Sequence, residues 1–211
     1  MLENFNLFNL ALLILPVLLA LTGHEFAHAW AAHKLGDDTA KLAGRLTLNP
    51  LVHLDFFGTI FLLVTQLIGW AKPVPVNPRN FYRPGRDMAL VALAGPGLNL
   101  ILALAGVLVL KIVIHLDQVV SLPFFSKTIF LTCYLFVMIN LALGFFNLLP
   151  LPPLDGFQII SLFLPPGWRY HLADRRYNFI FLAILVVLAY MGVFKYLFIL
   201  LNFHVSNFIF S

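Results

Sequence analysis

Residues 24–28 of the chain read His-Glu-Phe-Ala-His, inside an apolar stretch near the N-terminus. On a helix, His24 and His28 stand one turn apart and about 40° apart around the axis, so both imidazoles can reach one metal ion. Glu25 falls within the same arc of roughly 100°, close to such a metal yet free to hold a proton instead of a bond. Ionisable groups inside membrane-length apolar helices are costly and are usually functional. The competing explanation is two histidines and a glutamate hydrogen-bonded between helices. The spacing favours a metal site, with Glu25 beside it and free to hold a proton.

A hydrolytic zinc usually takes three protein ligands and leaves its fourth position to water. The only other glutamate is Glu3, 21 residues ahead of His24, so the third ligand is expected to be an aspartate or a histidine. Of seven aspartates, Asp37, Asp38, Asp87, Asp117 and Asp174 lie in polar connecting segments, whereas Asp55 and Asp155 adjoin apolar runs. Asp155 stands out because it ends a segment running from Asn147 through Pro150, Pro152 and Pro153 to Leu154, with Gly156 next. Prolines break the helix there and glycine lets the backbone turn, so a carboxylate can be aimed back into a helical bundle. The alternative is a Pro-rich helix exit with a solvated aspartate. His53 with Asp55 could form an accessory metal or proton site, although interfacial polar residues explain that pair more simply.

The elements that must position these groups belong in a membrane. Hydrophobic residues make up 61% of the 211 and charged residues 10%, against roughly 45–50% and 25% in soluble proteins. So few charges cannot cover a water-facing surface, and lipid must do much of the solvating. The net charge of +4 contains no Lys/Arg run, which argues against nucleic acid as a partner. Cys133 is the only cysteine and excludes an intrachain disulfide. Residues 7–21 are apolar without a positive segment before them or a small-residue cleavage site after them, so they read as the first part of a permanent span.

A spanning helix needs about 20 mostly apolar residues. Segments 7–32, 88–114, 128–150 and 178–203 qualify; 56–71 is shorter and carries Thr59, Thr65 and Gln66. The expected fold is therefore all-α: a polytopic membrane helix bundle with about four full spans plus a short re-entrant or interfacial segment, in one domain over residues 1–211. If 56–71 turns back, Lys34, Lys41, Arg45, Lys72, Arg79, Arg83 and Arg86 share one side with Arg169, Arg175 and Arg176. The positive-inside rule then puts that side in the cytoplasm and both termini outside. The same topology ends the first span and the 128–150 span on one side, the condition for Asp155 to meet His24 and His28.

Three motifs in order resemble the site-2 protease family of intramembrane zinc metalloproteases. They are His24-Glu25-x-x-His28, the segment Ala94-Gly95-Pro96-Gly97-Leu98-Asn99, similar to that family's G-P-x-x-N, and the run from Asn147 to Leu154-Asp155-Gly156. They cover residues 24–156; nothing diagnostic lies in 157–211, and the chain has no room for the PDZ or CBS domain of many members. The resemblance implies one Zn2+ per chain, with a bound water, held by His24, His28 and Asp155, and Glu25 as general base. Asn99 and Asn147 are candidates for binding oxyanion or substrate backbone, with interhelical hydrogen bonding as the alternative. The implied substrates are membrane proteins cut in or near a transmembrane segment. The implied place is the cell membrane, multi-pass, with the active site toward the cytoplasm. Ala20, Gly23, Ala27 and Ala31 line one side of the first helix, as packing surface or substrate groove. Segments 44–49 and 73–76 are strand-like and could pair with an unwound substrate. The rivals are a membrane zinc transporter or sensor, which needs polar stations along a route across the bilayer, and an inactive binder of membrane segments.

Overall fold

The computed structural model describes residues 7–65, 71–120, 123–165, 167–168, 172 and 175–210. Apolar sequence of membrane length makes three long helices: α1 (Leu7–Lys34), α5 (Pro84–Val120) and α6 (Pro123–Asn147). Short helices lie between α1 and α5: α2 (Thr39–Leu42), α3 (Pro50–His53) and α4 (Phe56–Thr65). After α6 come α7 (Asp155–Ile160), α8 (Arg175–Tyr190) and α9 (Val193–Phe210). Among the described residues there is no strand, only an isolated bridge between Leu54 and Ala71. The segments 44–49 and 73–76 accordingly form no ladder. The protein is an all-helical membrane protein, and among the described residues three stretches are long and apolar enough to cross a bilayer: Leu12–Lys34, Pro84–Leu116 and Lys127–Asn147.

The expected fourth span, 178–203, is not one helix. Gly192 has φ +79° and divides it into α8 and α9. A left-handed glycine ends a helix because the next residues no longer offer their N–H groups along its axis. Hydropathy does not register such a break, since both sides remain apolar. The last helix still joins the bundle: Val205 and Ile209 of α9 pack with Val107 and Leu110 of α5 and Val137 and Met138 of α6.

α1 and α5 run antiparallel, as two bonds between them require: Ala20 O accepts from Asn99 Nδ2, and Val91 O pairs with His28 Nδ1. α6 is antiparallel to α5 in turn, with Asn140 opposite Asn99. The small-residue face of α1 is packing surface. Ala20, Ala27 and Ala31 are buried, and Gly23 faces Leu98 and Leu102 of α5.

The connection from α1 to α5 is tied at several points. Leu54 bridges Ala71, and Lys72 N donates to His53 O at 2.9 Å. Both ends of the 56–71 segment thus lie side by side; residues 66–70 of it are outside the described residues. Arg45 Nη2 donates to Lys72 O and also holds the returning segment. Further on, buried Asp37 accepts from Thr39, Asn80 and the backbone N–H of Asn77, joining the end of α1 to the 77–80 turn. Its desolvation alone would raise the carboxyl pKa, but these four hydrogen bonds favour the anion and hold it below the usual carboxylate range.

Candidate metal centre

Late in α1, His24 and His28 are buried and project toward α5 and α7, their rings edge to face with centroids 4.5 Å apart. α6 ends at Asn147, before the prolines, and the chain reverses so that Asp155 opens α7. Gly156 makes that reversal possible. A Cβ there would land on the carbonyl oxygens of Leu148 and Leu149, so the loop closes only around glycine. Gly95 has a similar role on α5: a Cβ would strike His28 Nε2 and come within 2.7 Å of His24 Cε1. The backbone of α5 is thus the floor under both imidazoles.

His24 Nε2 and His28 Nε2 lie 3.0 Å apart, and Asp155 Oδ2 lies 3.2 and 3.3 Å from them. His28 Nδ1 is 2.7 Å from Val91 O. A backbone carbonyl only accepts, so this nitrogen carries the ring proton, and the Nε2 of the neutral ring is a lone pair. His24 Nδ1 is paired with Asn99 Oδ1 at 2.6 Å, which assigns the same tautomer. Neither Nε2 then has a proton for the other or for Asp155. Asp155 Oδ2 is itself buried without a hydrogen-bond donor among the described residues. Three lone pairs facing one point repel each other unless a cation lies between them, so the donor set fits a metal ion. Two imidazoles and a carboxylate are a zinc-type set that leaves a fourth position open.

Glu25 is buried beside them, 8% exposed. Asn99 is fully buried, and its amide hydrogens go to Ala20 O (3.2 Å) and Asn140 Oδ1 (2.8 Å). Asn147 is half-buried and donates to Leu143 O at 3.0 Å. Asp55 is not with the histidines: its Oδ1 accepts from Gly58 N at 2.8 Å and caps α4. His53 is fully buried, with Nε2 on Thr47 O at 2.8 Å, so the pair serves the 45–72 connection. Glu3 and Asp174 lie outside the described residues. The sequence reading passed over Asn140, the Val91 carbonyl and the contact of Gly95 with the rings. Asn140 had a visible signal, as one of two amides with Asn147 in the apolar run 128–150; the other two depend on which helices face each other.

Residues 113–192 match the model of Peptidase family M50. YwhC of Bacillus subtilis (strain 168), which bears the name "Putative zinc metalloprotease", is 47% identical over 176 residues, 83% of this chain and 80% of that protein. The chain belongs to peptidase family M50. This is the site-2 protease family, as the motifs indicated. The same designation is carried by two other relatives. Rip2 of Mycolicibacterium smegmatis is 32% identical over 83% of this chain and 66% of its own length, and Rip3 of Mycobacterium tuberculosis 34% identical over 74% and 30%. No solved structure matches the chain. The matched family segment contains Asp155 and all of α6 but not the histidines of α1.

Proposed function

We propose that this membrane protein of family M50 is a zinc endopeptidase acting in or beside transmembrane segments of other membrane proteins. In this reading His24, His28 and Asp155 hold the ion and Glu25 is the general base. The observation that carries it is the convergence of two imidazole nitrogens from α1 and a carboxylate oxygen from α7 on one point, each without a proton to share. Zinc, when bound, supplies Lewis acidity, which lowers the pKa of water to about 7 and polarises a carbonyl. Glu25 takes the proton of the attacking water and delivers it to the leaving amine. The imidazoles keep their Nδ1 protons, held by Asn99 and Val91, and so stay fixed in orientation. Asn99 has both amide hydrogens engaged within the bundle, and we read it as a support for His24 rather than an oxyanion donor. Asn147, half-buried at the end of α6, is the better candidate to meet substrate backbone.

The 56–71 segment is read as re-entrant and the active site as open to the cytoplasm. The adjacent ends at Leu54 and Ala71 and the grouping of Lys and Arg on that side both support this. Transport of the ion is disfavoured. Away from the histidines, α1, α5 and α6 form an open groove of about 300 Å³ lined by residues such as Leu15, Leu19, Val109 and Phe136, with no charged side chain in its lining to serve as a station for a cation.

Glu25→Gln tests the proposal, since it keeps size and hydrogen bonding but removes the base. The purified variant is expected to retain near-stoichiometric zinc while cleavage of a membrane substrate falls by about 10²–10⁴-fold. Undiminished cleavage would overturn the mechanism.

A further inference from the structure

We infer that Asn140 on α6 is a positioning residue for the metal site: through Asn99 it sets which nitrogen of His24 faces the ion. The inference rests on the metal-binding reading above and extends it to a residue outside the three motifs. Asn140 Nδ2 donates to Phe136 O at 2.9 Å. That carbonyl can only accept, so the amide end of Asn140 is fixed and its oxygen must face α5. Asn140 Oδ1 then accepts from Asn99 Nδ2 at 2.8 Å, and the second hydrogen of that nitrogen goes to Ala20 O at 3.2 Å. Two acceptors on one side hold the NH2 of Asn99 there and turn its oxygen to His24 Nδ1, 2.6 Å away. An amide oxygen cannot donate, so His24 must carry its proton on Nδ1 and present a lone pair at Nε2. Both asparagines are fully buried, and no water competes for these bonds. The relay begins and ends on backbone carbonyls of α6 and α1. Without Asn140, one hydrogen of Asn99 loses its acceptor inside an apolar bundle. The Ala20 bond alone, the longer of the two, must then keep the amide from turning its NH2 toward His24. A turned Asn99 would need an acceptor at Nδ1, would move the ring proton to Nε2, and would block coordination.

Asn140→Ala and Asn140→Asp separate this role from packing. In a buried apolar site desolvation favours a neutral carboxyl, which mimics the asparagine: its O–H faces Phe136 O and its C=O faces Asn99. N140A removes the acceptor. Zinc affinity of the full-length protein in detergent, measured by competition with a chelating dye, is expected to drop about tenfold or more in N140A, the range for outer-shell partners. N140D is expected to stay within about twofold of native, because it keeps the acceptor. Native-like zinc affinity in N140A would overturn the inference, and so would equal weakening in both variants, which would mark a packing role. Native protein that binds no zinc would instead sink the metal reading itself. Should N140A fail to fold, ¹⁵N-histidine NMR of the native chain still decides, since a His24 Nδ1 without its proton overturns the relay and a protonated one, with N140D zinc-competent, upholds it.

Discussion

At the scale of single residues, glycine and aspartate shape the proposed metal centre as much as histidine does. Asp155 Oδ2 faces both Nε2 atoms, whereas Asp55 caps α4 and touches neither. Asp155→Ala should therefore lower both bound zinc and cleavage, while Asp55→Ala should leave zinc content intact and cost about 1 kcal/mol of stability as a lost cap. Elemental analysis of the two purified variants checks this, and the reverse pattern would move the ligand to Asp55. Gly95 gives a second, sharper test. The backbone of α5 runs so close to the rings that one methyl group would clash with His28 Nε2. Gly95→Ala should weaken zinc binding by at least about tenfold, comparable to disturbing the shell around a ligand, with helicity by circular dichroism unchanged because alanine favours a helix. Unaltered zinc binding would mean that α5 can withdraw from α1 without loss.

The elements between α1 and α5 are tied by polar side chains as well as by the packing of Val76 and Phe81 against Ala31, Ala32 and Val91. Asp37 receives four hydrogen bonds from Thr39, Asn77 and Asn80, and so fastens the 77–80 turn to the end of α1. Asp37→Asn puts an amide N–H where an acceptor is needed and leaves a buried donor unpaired, a cost of about 1–3 kcal/mol. Thermal melting in detergent should show that loss near neutral pH. The sign with pH follows from the lowered pKa in the folded state. Stability from Asp37 is fully present above the ordinary carboxylate range and is lost as pH falls through the lower native value. Melting temperatures of native protein and D37N should therefore converge on acidification. A gap that stayed constant down to the acid limit would show that the charge of Asp37 contributes nothing.

For the molecule as a whole, the decisive feature is that both halves of the metal site end on one face. α1 and α6 run parallel, each antiparallel to α5, and the connection between α1 and α5 closes on itself at Leu54 and Ala71. The proposed orientation predicts a labelling pattern for single cysteines placed in a Cys133→Ser background. An impermeant thiol reagent on intact cells should reach a cysteine replacing Asp117, and should reach those replacing Asp38 and Arg79 only after permeabilisation. Labelling of position 79 but not 38 from outside would mean that 56–71 crosses the bilayer. The bundle would then have to be reordered to keep Asp155 near the histidines.

The sequence by itself determined the chemistry and the solvent. His24, Glu25 and His28 lie within two turns of one helix, where spacing fixes geometry, and the scarcity of charge makes lipid the medium. It also singled out Asp155 as the candidate third ligand, because prolines and Gly156 at a helix end restrict the local backbone strongly. It did not reveal the break at Gly192, since helix continuity there depends on one backbone angle between two equally apolar runs. Nor did it reveal that Gly95 floors the site, that Asn99 supports His24, or that Asn140 stands behind Asn99. Each of these depends on which faces of α1, α5 and α6 meet, and long apolar helices carry little periodic signal for that choice because lipid and protein interior are alike to their side chains. Only tertiary packing, fixed by a few buried amides and close backbone approaches, made that choice.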